Sequence, residues 1–415
     1  MDIYSFLSEI FTLGKPWYVG EVVHLEESWT IEIHIFHEAQ AKLPCPKCGT
    51  LCGIHDHRTR RWRHLPLWQY DTLVVCEVPR VHCREHGVLT VQVPWAEDGS
   101  RFTALFEGFV IEILKEASIS GAARLLHLSW DQVDGIVKRA VQRGLARRRS
   151  VPPRRIGVDE TSFQKGHRYV TIVTDLDRGI VLYVGKGRKE ETLDSFWETL
   201  PSQARAEIEV VAMDMWMPYI QSTGAHVPGA EDKIVFDRFH VIQHLGKAVD
   251  RVRKEEHRKF LQRGREDLKG TKYLWLRSPS SMSRGEKADF AKIRDVATRV
   301  ARAWAIKEGA RTLWSYRSRG WAKRAWKRWY LWAIRSKLEP IKKVARMVLK
   351  HLIGILNASV LGITNAKAEG MNAIVQKLKG RAFGYRNLDR FIHAIYFHKG
   401  GLDMLPVSAR PHRKP

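Results

Sequence analysis

The sequence predicts a multidomain chain: a small N-terminal β domain, then a helical domain, then an α/β domain interrupted by a large α-helical insertion. Three observations predict it. The cysteines cluster among short strand-and-turn segments before about residue 95. From about 100 to 149, apolar residues recur at helical spacing and then pass through a helix, a break and a second helix. From Arg155, three strand-like segments on short turns precede a helix, two more strands and an almost wholly helical remainder. That last order is the order of a ribonuclease H-like fold. The predicted boundaries are 1–95, 96–150, 151–240 for the first part of the α/β core, 241–356 for the insertion, and 357–415 for the last part of the core with a basic tail.

Bulk composition limits the function classes. A chain of 415 residues, 44% hydrophobic and 28% charged, is long enough for several cores and is not a disordered composition. Seventy Lys and Arg against 45 acids give a formal charge of +25, which points to a polyanionic partner, most simply nucleic acid. The basic residues recur in every section and are interleaved with Trp and Tyr. No apolar run reaches the roughly 18 residues of a membrane span. The start, "MDIYSFLSEIFTLGKPW", lacks the basic region of a secretory signal. Five cysteines, an odd number, argue against a disulfide framework and for a reducing cytoplasm. "GKGRKEET" does not have P-loop spacing, so no nucleotide cofactor is expected.

In the first section, "LPCPKCGT" and "RVHCREHG" each run a strand end into a tight turn. Cys45 and Cys48 stand in C-x-x-C spacing, and Cys83 and His86 repeat it. Two such half-sites bring four ligands to the tetrahedral arrangement of one structural Zn²⁺, as in a zinc ribbon. Gly49 and Gly87 follow each second ligand, where a turn wrapping a metal needs positive φ. Cys52, His55, His57 and His82 compete for the fourth position. Cys76, in "TLVVCEVPR", alternates with apolar residues as a strand interior does.

In the second section, "FTALFEGFVIEILKEAS" is a helix, and "ISGAARLLHLSWDQVDGIVKRAVQRGLARRR" gives a short helix, a break at His127-Leu128 and a longer helix capped by Ser129. Ala122 and Ala123 are small where two helices cross, and Val133, Ile136 and Val137 supply the inner face. This is a helix-turn-helix pattern with Ser129 to Arg143 as recognition helix, although an ordinary helical hairpin looks similar. Candidate DNA contacts are Ser129, Trp130, Gln132, Lys138, Arg139 and Arg143. Arg147, Arg148 and Arg149 continue them into the basic linker "GLARRRSVPPRR".

In the third section, "RRIGVDETSF", "HRYVTIVTDL" and "GIVLYVGKGR" are strands, "ETLDSFWETLP" is an amphipathic helix, and "EIEVVAMDMW" and "KIVFDRFHV" are strands. Asp159 closes "RIGVD" and Asp214 closes "EVVAMD", as metal-binding acids at matching strand ends should. Period-two alternation turns Glu160 to the other face. Asp175 and Asp177 lie in a turn with Gly179 and are weaker candidates. In "LGITNAKAEGMNAIVQKLKGRAFGYRN", Thr364 or Asn365 caps a helix whose first turn carries Glu369, with Asn372, Ala373 and Gln376 on the same face. Among the tryptophans of the insertion, Trp314, Trp321, Trp326, Trp329 and Trp332 read as a bundle core, and the Lys and Arg on its other faces as contacts to a nucleic-acid backbone.

The residues "GVDETSFQKGHRYVT", "DMWMPYI", "VFDRFHV" and "TNAKAEGMNAI" with "GYRN" resemble bacterial insertion-sequence transposases of the DDE type, the ISL-three family, over nearly the whole chain. One departure is His86, where such a site often has Cys. The resemblance implies a DNA transposase that binds the terminal inverted repeats of its element and uses Asp159, Asp214 and Glu369 as a DDE triad. It implies two Mg²⁺ (or Mn²⁺) per active site, with Asp159 bridging both. Water attacks first, and the freed 3′-hydroxyl then attacks target DNA in the same site. Asp237 and His240, in a D/C-x-x-H pattern, support the triad or position DNA, or serve only as a helix cap. The implied partners are double-stranded DNA and at least one second copy of the chain, with no membrane, in a bacterial cytoplasm at the nucleoid. Rival readings are a DNA-binding regulator with an inert remainder and a structure-selective nuclease.

Overall fold

The computed structural model describes residues 2–149, 151–164, 168–362 and 366–409, and for 366–369 the helical backbone alone. It divides into two compact units, residues 1–149 with 389–415, and residues 150–388.

In the first unit, helix α1 (Ile3–Ile10) precedes strands β1 (Trp17–Leu25), β2 (Thr30–His37), β3 (Leu43–Pro44), β4 (Leu51–Cys52), β5 (Ile54–Leu67), β6 (Tyr70–Cys83) and β7 (Gly87–Thr90). The main sheet runs β1-β2-β6-β5 with β7 on β6, and β3 pairs with β4 apart from it. The sequence suggested short strands here. Instead β5 and β6 are 14 residues each. The reason is one-sided burial: "IHDHRTRRWRHLPL" buries only Trp62 fully and exposes Arg58 and Arg61, so no apolar run announces a long strand.

Helices α2 (Ala104–Glu116), α3 (Ile119–Leu125) and α4 (Trp130–Ala146) follow. Thr103, Ser118 and Ser129 cap them, each accepting from a backbone N–H three residues on. His127 takes φ +53° at the break between α3 and α4. Ala122, Val133 and Ile136 are fully buried where the two helices meet.

The second unit is built on β8 (Arg155–Gln164), β9 (Arg168–Asp175), β10 (Ile180–Lys186), β11 (Val210–Met213) and β12 (Ile234–Phe236), in the order β10-β9-β8-β11-β12. β8, β9 and β10 are antiparallel, whereas β8, β11 and β12 are parallel. β8 does not end at Asp159. It continues to Gln164 against β9, and only its parallel ladder with β11 stops at Val158.

Between and after these strands come α5 (Glu190–Glu198), α6 (Ser202–Ala206), α7 (Met217–His226), α8 (Ala230–Lys233), α9 (Arg238–Leu261), α10 (Lys272–Leu276), α11 (Arg284–Val296) and α12 (Thr298–Thr312). Then follow α13 (Arg319–Ile334), α14 (Glu339–Lys350), α15 (Leu352–Leu361) and α16 (Ala366–Arg381). One continuous apolar core runs from Ile156, Val211 and Trp197 at the sheet to Val249, Trp326 and Ile341 among the helices. Trp314, Trp326 and Trp329 are buried there, while Trp321 and Trp332 are exposed. Gly354 lets α15 lie against β12: a Cβ there would stand 2.5 Å from the Phe236 ring. No single helix among the described residues is long and apolar enough to cross a membrane.

Helix α17 (Leu388–Lys399) leads the chain back to the first unit. The sequence placed everything after residue 357 with the α/β core, but from Asp389 the chain packs on α2 and α4. Gly144 accommodates Leu402, whose Cβ would lie 2.6 Å from any side chain there, and Gly108 meets Ala409.

Candidate active site and zinc centre

The parallel register places the acids. Val158 of β8 is level with Met213 of β11, and Met213 is level with Phe236 of β12. The next residue on each strand is an aspartate: Asp159, Asp214 and Asp237. Three aspartates therefore stand in one row where the parallel ladders of three adjacent strands end, the place where open α/β sheets bind their ligands.

Two of the three are held alike. The Glu160 N–H donates to Asp159 Oδ1 at 2.7 Å, and the Met215 N–H donates to Asp214 Oδ1 at 2.7 Å. Each backbone bond fixes a carboxylate plane with one oxygen turned away from its own strand. Asn372 of α16 donates to Asp159 Oδ2. His240 Nδ1 lies 3.7 Å from Asp214 Oδ2. Burial pushes the Asp159 carboxyl up to about 6, with the Glu160 and Asp214 charges adding to the effect. Asp237 caps α9 by accepting from the Phe239 N–H at 2.8 Å, and its second oxygen is buried without a partner among the described residues.

Helix α16 lies along β8. Besides the Asn372 contact, Gln376 donates to Thr161 Oγ1 and Lys379 Nζ donates to the Ser162 carbonyl at 2.8 Å. Glu369 sits on this helix one turn before Asn372, but its side chain lies outside the described residues, as do Thr364 and Asn365.

Acids outside the row have other partners. Glu160 pairs with Arg188 at 3.1 Å. Asp175 accepts from the Asp177 and Arg178 N–H groups and pairs with Arg178, a turn role. Arg188 was not singled out in the sequence. It follows a Gly in a loop, and only the folded chain brings it to Glu160.

Cys45, Cys48, Cys83 and His86 converge, with all four ligand atoms within 4.8 Å of one another. Cys48 Sγ is 3.7 Å from Cys83 Sγ, and Cys83 Sγ is 3.6 Å from His86 Nδ1. A tetrahedral zinc with bonds of about 2.3 Å sets neighbouring sulfurs roughly 3.7 Å apart, so the donors fit that ion. Hydrogen bonding with Thr50 holds the Cys48 thiol down to about 6, toward the thiolate a metal takes. Gly49 and Gly87 have φ of +74° and +68° in the two turns. Cys52 lies outside the cluster. Cys76 is buried in β6, where its thiol is pushed up to about 12.

On the helical domain, Ser129 and Gln132 form a capping box, which occupies the Gln132 side chain. Arg143 is turned inward: its side chain is 7% exposed, between Glu97 and the buried Glu107, and it donates to the Met404 carbonyl. It is therefore a structural ion pair, and not the DNA contact its position in the helix suggested. Arg139 pairs with Glu107, Arg147 donates to the Leu405 carbonyl, and Arg148 donates to the Gly400 carbonyl. Lys138, Arg149, Ser129 and Trp130 are exposed, with Arg390 lying over the Trp130 ring at 4.3 Å.

Comparison with known proteins agrees with this arrangement section by section. Residues 42–86 match a family described as the zinc-finger of transposase IS204/IS1001/IS1096/IS1165. Residues 91–141 match the helix-turn-helix domain of transposase family ISL3. Residues 156–395, more than half of the chain, match the DDE domain family of ISL3, described as Transposase. The chain is 30% identical over 373 residues to the transposase for insertion sequence element IS1001 of Bordetella parapertussis, covering 88% of this chain and 91% of that one. It is 28% identical to the transposase for insertion sequence element IS1557 of Mycobacterium tuberculosis (strain CDC 1551 / Oshkosh), covering 83% and 82%. A zinc ribbon, a helix-turn-helix and a DDE domain in this order make the chain a DNA-binding transposase, and it belongs to the ISL3 family.

Proposed function

We propose that Asp159, Asp214 and Glu369 form the DDE triad of one active site that both cleaves the ends of the element and joins them to target DNA. The proposal includes a ribonuclease H-like core, with residues 241–356 as its helical insertion. The observation that carries it is the register of β8 with β11, which sets Asp159 and Asp214 side by side, each with one oxygen held by the next backbone N–H.

Hard carboxylate oxygens are the donors Mg²⁺ or Mn²⁺ takes. A buried aspartate beside a second acid is a group that gains from a cation. Asp159, Asp214 and Glu369 are the residues that would hold two such ions. When bound, the ions activate the attacking oxygen and stabilise the leaving 3′-oxygen. Asn372 keeps the Asp159 carboxylate in plane, and His240 flanks Asp214 on the side of α9. Water is the nucleophile for cleavage, and the freed 3′-hydroxyl is the nucleophile for strand transfer.

Recognition of the terminal repeats falls to the exposed side of α4, through Ser129, Trp130 and Lys138, with Arg149 reaching the backbone. Joining two ends calls for at least two copies of the chain. The test is cleavage of the element's own end sequences by purified protein with Mg²⁺, Mn²⁺ or chelator. Cuts at the ends that appear only with the cations support the reading. Protein that binds the ends and never cuts them contradicts it.

A further inference from the structure

The edge of the sheet that carries the acids also carries exposed aromatic surface. Trp216 stands two residues beyond Asp214 and is 37% exposed. Its indole N–H donates to the Arg188 carbonyl at 3.0 Å. The Arg188 guanidinium lies 4.8 Å from the Trp216 ring centroid and 4.1 Å from that of Tyr169. Arg188 in turn pairs with Glu160, the neighbour of Asp159. The result is a layered stack of Tyr169, Arg188 and Trp216, tied beside one catalytic strand through Glu160 and beside the other through Trp216 itself. Phe239 repeats the placement on the next strand: it stands two residues beyond Asp237 and is 55% exposed.

Such a stack fixes an indole plate that an isolated surface Trp would not hold, since a guanidinium on one face and a hydrogen bond at the ring edge remove its freedom. The plate lies beside the acids assigned above to DNA cleavage. The apolar, planar part of DNA is the face of a base, and in an intact duplex that face is covered by its neighbours. An occupant of the plate is therefore a base out of the helical stack, as in other sites where chemistry needs access to a nucleotide.

We propose that Trp216, braced by Arg188 and Tyr169, stacks on a single nucleobase displaced from the duplex at the cleavage junction, while the acid row holds the adjacent phosphate. The proposal rests on the active-site reading above. Trp216 is a positioning residue in it: holding the base out opens the strand and fixes the phosphate for in-line attack.

The test uses the full-length protein and end DNA carrying one abasic nucleotide at each position around the cut in turn. On fully paired ends, Trp216→Ala should lower cleavage by about five- to a hundredfold, the usual value of one aromatic stack. Trp216→Phe, which keeps an aromatic face, should retain most of the activity. At one abasic position the ratio of wild type to Trp216→Ala should collapse to about one, because no base remains to be stacked. In a second arm, Asp159→Asn protein holds uncut ends bearing 2-aminopurine at that position. Its fluorescence should change on binding, and the change should vanish in the Asp159→Asn, Trp216→Ala double variant. A Trp216→Ala defect of the same size at every abasic position, or a 2-aminopurine signal indifferent to Trp216, overturns the proposal. Wild-type cleavage that Asp159→Asn abolishes establishes the active-site reading in the same assay, so a fully active Trp216→Ala enzyme refutes the stack alone.

Discussion

Asp159 has a carboxyl raised to about 6, first by burial and then by the charges of Glu160 and Asp214. A carboxyl whose folded value lies above its unfolded value holds its proton more tightly in the folded state. Metal-free protein is therefore most stable, as far as this group decides, below about pH 4, and it loses stability as pH rises through 6. Relative to Asp159→Asn, the wild type should lose on the order of 3 kcal/mol between pH 4 and 7 in chelator, measured by denaturant midpoints, and Mg²⁺ should close the gap. Parallel pH profiles for the two proteins would contradict this. At the zinc centre, elemental analysis should find about one zinc per chain, and Cys45→Ser should lower it sharply and destabilise the first unit; full zinc in a Cys45→Ser, Cys48→Ser double variant would count against the cluster. The convergence of Cys45, Cys48, Cys83 and His86 was legible because C-x-x-C spacing is local. The level placement of Asp159 and Asp214 was legible too, since an acid directly after an apolar run in a strand is conspicuous. Arg188 and Trp216 were not: the first belongs to a loop and the second stands just before α7, and their partners come from other segments.

Helix α4 shows how far an element can be read from its own sequence. The break at His127, the Ser129 cap and the buried Val133-Ile136-Val137 face follow from spacing and cap chemistry. Which arginines face outward does not, because that depends on Glu97, Glu107 and the carbonyls of 400–405, all distant in sequence. The two kinds of basic residue should separate experimentally. Arg143→Ala removes the partner of the buried Glu107 Oε2 and of Glu97, with Arg139 still on Glu107 Oε1, and should cost about 1–3 kcal/mol of stability in the first unit. Lys138→Ala should leave stability unchanged and reduce the salt dependence of DNA binding by about one charge. Equal stabilities for the two variants would mean that Arg143 is not the buried ion pair described above. Helix α16 was read correctly as a face carrying Asn372 and Gln376, but their partners Asp159 and Thr161 appear only once the helix lies on β8.

Over the whole molecule, the order of β domain, helical domain and α/β domain was visible in composition and periodicity. The return of residues 389–409 to the first unit was not, since nothing in "GLDMLPVSA" marks it as a packing partner of Gly108 and Gly144. A fragment of residues 1–149 should accordingly melt below the same fragment joined by a linker to 389–409 and bind end DNA more weakly, as thermal unfolding and binding titrations will show. A fragment unaffected by the missing segment would refute the dependence. The central claim, that one triad of acids serves both chemical steps, is tested most directly with Asp159→Asn, Asp214→Asn and Glu369→Gln proteins in parallel. Each is given intact ends to cleave and, separately, pre-cut ends with a free 3′-hydroxyl to join. All three should bind the ends normally and lose both reactions by orders of magnitude, with double variants hardly worse than single ones. Any one of them joining pre-cut ends at the wild-type rate while failing to cleave would contradict a shared site.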